Sequence, residues 1–112
     1  MSYPKNNHKH YHAHVYFDQA SRELAKQIRA EAQTRFTVPV GRFHEKLVGP
    51  HTMWSFQIAF TCDDFDAVVS WLDKVRNKLS VLVHADTGND IQDHTQFAYW
   101  LGEPVEINLS VL

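Results

Sequence analysis

Residues 11–17 alternate strictly in polarity. Tyr11, Ala13, Val15 and Phe17 occupy one parity, and His12, His14 and Tyr16 the other. A period of two is the signature of a strand with two different faces. The next segment changes period. Leu24, Ala25, Ile28 and Ala32 recur at helical spacing, while Arg22, Glu23, Lys26 and Arg29 fall on the opposite side. Asp18 stands where a helix N-cap belongs, so a helix is expected over 19–33. Residues 36–43 read as a second strand, placed at a sheet edge by Pro39. Residues 45–51 then form a hairpin connection.

Alternation returns over 53–61. Trp54, Phe56, Ile58 and Phe60 share one parity, and Met53, Ser55, Gln57 and Ala59 the other. Asp63 or Asp64 can cap a second helix with the stripe Phe65, Val68, Val69, Leu72 and Val75. Residues 80–84 read as a fourth strand, and the ADTGND stretch at 85–90 as a turn. A short helix capped near Asp93 and stopped by Gly102-Glu103-Pro104 is expected next, then a fifth strand over 105–111. The fold class is therefore α+β: a ferredoxin-like βαββαβ sandwich, with both helices on one face of an antiparallel sheet and a short C-terminal helix and strand. Residues 1–9 are expected to be a flexible N-terminus, and 10–112 a single domain.

If the apolar parities face the helices, His12, His14, Tyr16, Ser55, Gln57 and His84 share the uncovered face. In this topology the first strand lies beside the fourth, which brings His12 near His84. His51 precedes the third strand. It is therefore expected toward the far end of the first strand from His84, unless its loop folds over the face.

Composition narrows the function. A net charge of -2 without a basic run argues against a nucleic-acid binder. The single cysteine, Cys62, cannot form an internal disulfide and fits a reducing compartment. The polar N-terminus offers no signal-peptide core, and no stretch is apolar enough to span a membrane, so a cytoplasmic location is expected. The excess is in histidine, with eight residues. Neutral imidazole is the commonest side-chain ligand for iron, zinc, nickel and copper. Two histidines at i and i+2 on a strand can serve one ion, and His84 could supply a third ligand from the neighbouring strand. His51 and His94 sit in flanking loops, and Glu45, Asp86 and Asp93 are candidate carboxylates. A two-histidine, one-carboxylate set with open positions is the pattern of non-haem Fe(II) oxygenases. Arg42 could pair with a substrate carboxylate through its guanidinium fork. No phosphate-binding loop, nucleophile elbow or dinucleotide fingerprint is present.

Three blocks carry a resemblance: YHAHVYFD at 11–18, VGPHTMWSFQIAF at 48–60 and LVHADTGNDIQDHTQFAYWLG at 82–102. In content and order they are similar to the signature blocks of the DOPA 4,5-dioxygenase family. Thr52 and Ala85 stand where proline is expected, which bears on loop rigidity rather than on ligands. The resemblance implies extradiol ring cleavage of a catechol such as DOPA by dioxygen at non-haem Fe(II), with zinc or another divalent metal as the alternative ion. It implies roles for His12, His14, His51, His84 and His94. The metal set is expected to be His12, His84 and His14. Proton transfer and catalysis would fall to His14, His51 and His94. Tyr16, Gln57 and Arg42 are the expected substrate contacts, with Met53 and Leu82 lining the pocket. Because Tyr16, Met53 and Leu82 would leave an apolar patch on an open face, a homodimer is expected, through the sheet faces or by exchange of the 105–111 strand. The rival readings are a dimeric metal- or small-ligand-binding protein without turnover, and a histidine-dependent assembly module.

Overall fold

The computed structural model describes residues 3–112. Strand β1 (His10–Phe17) leads to helix α1 (Arg22–Arg35), strand β2 (Trp54–Thr61), helix α2 (Phe65–Val75) and strand β3 (Val81–Ala85). A short helix α3 (Asp90–Asp93), strand β4 (Ala98–Leu101) and a 3-10 turn at Leu109–Val111 complete the order. The fold is α+β, with one antiparallel four-stranded sheet in the order β2-β1-β3-β4 and three α-helices. No helix is long and apolar enough to cross a membrane among the described residues.

One sheet face packs on α1 and α2. Tyr11, Ala13, Val15 and Phe17 of β1 meet Phe56, Ile58 and Phe60 of β2 and Val81 and Val83 of β3. Ala25, Ile28 and Ala32 of α1 and Phe65, Val68, Val69 and Leu72 of α2 close this core. The apolar parities therefore face the helices, as their periodicity requires. Trp54 is only half-buried, stacking edge-on against Phe17 at the end of the sheet.

Three expected elements differ. Residues 36–43 do not form a strand; the chain from there to His44 pairs with β2 only as the isolated bridges Val40–Ile58 and His44–Ser55. The two bridge positions are four apart in sequence on one side and three apart on the other, so the register slips by one between them. Pro39 accepts from Ala59 but has no N–H to return, which also limits the ladder. The helix near Asp93 starts at Asp90 and ends there rather than running to Gly102, and residues 98–101 pair with β3 instead. Residues 105–111 alternate in sequence but find no strand partner, and Leu109, Val111 and Leu112 stay exposed.

The second sheet face is not open. The 44–52 loop and the C-terminal segment lie over it, tied together by Asn108 N–H to the Pro50 carbonyl at 2.8 Å and by Thr52 Oγ1 to the Glu106 carbonyl. Tyr16 and Leu82 are only 1% and 0% exposed. The apolar patch expected to drive dimerisation is thus covered within the chain, and Met53 is half-buried.

Candidate metal centre

The polar parity of β1 carries His12, His14 and Tyr16 along one line. Strand register then supplies their neighbours. His12 pairs directly with His84 of β3, and His14 lies between Gln57 of β2 and Leu82 of β3. The rings of His12 and His84 are 5.3 Å apart, and those of His14 and His84 stack at 5.0 Å. Each of His12, His14 and His84 offers a ring nitrogen, and the three nitrogens all lie within 4.8 Å of one another.

Two loops bring further imidazoles. The 44–52 loop folds over the face and sets the His51 ring 4.1 Å from His14, on the Tyr16 side of β1, away from the His12–His84 pair. His51 Nδ1 and the Tyr16 hydroxyl are 2.6 Å apart. His94 follows α3, whose Asn89 cap accepts from the Gln92 N–H. The His94 ring stands 4.2 Å from His84 and 6.4 Å from His51. Buried Asp93 holds this loop shut by accepting from the backbone and hydroxyl of Thr87.

The donor set suits a divalent transition metal. Imidazole–metal bonds are about 2.1 Å, so two ligands at right angles around one ion sit about 3 Å apart. His14 Nε2 and His84 Nε2 are 2.9 Å apart. His84 Nδ1 lies 2.7 Å from the Ala85 carbonyl, an acceptor only. His84 therefore carries its proton on Nδ1 and leaves Nε2 bare, the outer hydrogen bond that fixes a ligating histidine. Without an ion, His14 Nε2–H is the donor in the His14–His84 contact; an ion would take that proton's place.

Burial keeps the imidazoles neutral, as ligands must be. It holds His14 well below the usual histidine range, reinforced by neighbouring His51 and His84. It lowers His84 to about 3, although the Ala85 carbonyl opposes the shift. It lowers His51 to about 4, with help from His94 and His44. His12 is lowered less, because Asp86 offsets part of its burial. Burial also raises the Tyr16 phenol, which stays protonated.

Of the candidate carboxylates, only Asp86 faces the group, its Oδ2 3.4 Å from His12 Nε2. Glu45 is gripped by the Arg22 fork at 2.8 and 3.0 Å, and Asp93 is engaged by Thr87. Two clefts flank the histidines on the β2 side. One, of about 170 Å³, is lined by His14, His44, Val48, Gly49, His51, Ser55 and Gln57. The other, of about 260 Å³, includes His12, Ala59, Asp86 and Pro39 in its wall. Gln57 thus meets the site, whereas Arg42 is exposed and lines neither cleft. His44 was missed by sequence reasoning. The one-residue register slip turns it toward Ser55 and the histidine face, although its parity matches that of core-packed Val40.

The sequence profile of the Dopa 4,5-dioxygenase family matches residues 11–111. A DOPA 4,5-dioxygenase of Amanita muscaria is 32% identical over 93% of this chain, and an uncharacterized 21.2 kDa protein of Botryotinia fuckeliana 35% identical over 88%. The chain spans 50% and 61% of the lengths of these two relatives. The crystal structure of a candidate dioxygenase from Nostoc punctiforme superposes with a TM-score of 0.89 at 41% identity, covering 93% of this chain and 90% of that one.

Proposed function

Because the chain belongs to the Dopa 4,5-dioxygenase family, we propose that it is a non-haem Fe(II) dioxygenase opening the ring of a small catechol with dioxygen. The observation that carries this reading is the trio of neutral imidazoles on one sheet face, their nitrogens within 4.8 Å. His12, His14 and His84 would hold the ion. Bound iron would supply one coordination sphere for catecholate and dioxygen, and would relieve the spin mismatch between them.

The protein's own groups prepare that sphere. The Ala85 carbonyl orients His84, and the buried Leu82, paired across the strands with His14, adds an apolar neighbour to the site. The clefts beside His14 and His12 admit a ring from the β2 side, where Ser55, Gln57 and Ala59 form a small, partly polar wall. His51, poised between Tyr16 and the cleft, would hydrogen-bond a catechol oxygen and steady the charge that develops there. We also read the fold as a ferredoxin-like variant. If residues 39–44 count as a vestigial edge, the spatial order 39–44, β2, β1, β3 is that of a split βαβ sandwich.

A second reading is favoured by one observation: the clustered trio contains no carboxylate, and three histidines are also a zinc set. That reading is a metal-binding protein of the same fold without oxygenase turnover. Oxygen uptake separates the two. Protein loaded anaerobically with Fe(II) is given L-DOPA or simpler catechols, with metal-free and zinc-loaded protein as controls. Iron-dependent uptake with a yellow ring-opened product is the expected result. Confirmed iron binding with no uptake on any catechol would overturn the oxygenase reading.

A further inference from the structure

Hydrogen bonds fix the tautomers of three clustered histidines, His51, His84 and His94, and set His51 apart from the other two. His84 Nδ1 and His94 Nδ1 each face a backbone carbonyl, that of Ala85 at 2.7 Å and that of Asp90 at 2.8 Å. A carbonyl only accepts, so both rings carry the proton on Nδ1 and present a bare Nε2. His51 has the opposite neighbour. Its Nδ1 lies 2.6 Å from the hydroxyl of Tyr16, a residue only 1% exposed. A buried phenolic proton left without an acceptor is costly, and among the described residues His51 Nδ1 is its one partner. The Tyr16 O–H therefore donates, and the His51 proton moves to Nε2. That second nitrogen has no hydrogen bond within the described residues. Because no fully buried side-chain nitrogen there lacks a partner, it keeps some exposure, and His51 lines the cleft that it shares with His14 and Gln57.

We propose that Tyr16 is a positioning residue that fixes His51 as an Nε2–H donor, excluding it from metal ligation and aiming its N–H at a substrate oxygen. One ring nitrogen of His51 is occupied by the phenol and the other carries the proton, so neither lone pair is offered to an ion. Its N–H instead suits an oxygen bearing negative charge, such as that of a catecholate in the cleft. This role in catalysis rests on the dioxygenase reading; the tautomer itself does not. What separates His51 from its ring neighbour His14, 4.1 Å away, is the phenol on its Nδ1, since His14 of the metal trio also carries its proton on Nε2 when no ion is bound.

The test is long-range proton–nitrogen correlation NMR on ¹⁵N-histidine-labelled protein, first metal-free and then with zinc(II) as a diamagnetic probe. The expected spectrum shows His51 as the pure Nε2–H tautomer and His84 as Nδ1–H in the metal-free protein. Zinc should shift the His84 Nε2 resonance and leave the His51 Nε2–H in place. Tyr16→Phe, which preserves the ring, should let His51 populate both tautomers while zinc affinity changes by less than about threefold, below the usual cost of losing a ligand's outer hydrogen bond. An Nδ1–H form of His51 in the metal-free protein, or a zinc-bound His51 nitrogen, would overturn the proposal. So would an unchanged His51 tautomer in Tyr16→Phe. If zinc does not bind at all, the metal reading of the site fails, and the metal-free spectrum still decides the tautomer.

Discussion

Acid should destabilise the metal-free protein through histidines that the fold keeps neutral. Burial lowers His51 to about 4 and His84 to about 3, whereas both titrate near 6.5 in the unfolded chain. Above pH 6.5 neither state binds these protons, and stability is insensitive to them. Below it, the unfolded chain takes up protons that the folded chain refuses, so stability falls as pH falls. Each histidine contributes about 1.4 kcal/mol per pH unit until its folded value is reached. Going from pH 7.5 to pH 5 therefore costs about 2 kcal/mol per histidine and about 4 kcal/mol for the pair. His14 is shifted in the same direction and adds to the loss. Against a domain stability of about 5–15 kcal/mol, this is a large fraction. The assay is urea unfolding of chelator-treated protein, followed by tryptophan fluorescence at the two pH values. His84→Gln, which cannot take up the proton in either state, should remove about 2 kcal/mol of the difference. An unfolding free energy that is the same at pH 7.5 and pH 5 would refute the reasoning, because it would mean these imidazoles protonate as readily in the fold as outside it.

Two further outcomes are expected. His84→Ala removes the nitrogen paired at 2.9 Å with His14 and should abolish iron binding measured by metal analysis after desalting, whereas His8→Ala, outside the cluster, should bind iron as the parent does. Gly102 adopts φ +80 after β4, and a Cβ there would lie 2.6 Å from Arg76 Nη1 and 3.2 Å from the Leu79 carbonyl oxygen. Gly102→Ala should therefore lower stability by about 1–3 kcal/mol in the same urea assay, from left-handed strain and crowding together.

Period-two alternation in residues 11–17 was enough to put His12, His14 and Tyr16 on one face, because a strand leaves no other choice of side. The helical stripes of α1 and α2 likewise dictated which face of the sheet they cover. With the helix-covered face assigned, the juxtaposition of His12 and His84 followed from strand order, and the structure pairs those two residues directly. What had no period had no sequence signal. The 44–52 and 86–94 loops hold His51 and His94 through single hydrogen bonds and caps, which depend on where the chain turns in space. Residues 36–43 look like a strand, but Pro39 and a one-residue slip leave only two bridges. The short apolar run at 98–101 suits helix or strand equally in sequence; the free edge of β3 decided it. Residues 105–111 show the converse, an alternation with no edge left to join, which instead ties down the loop over the histidines. Local polarity thus determined which face would carry the chemistry. Only tertiary contacts decided that this face would be covered, which loops would reach it, and which proton each imidazole would keep, because those depend on partners distant in the chain.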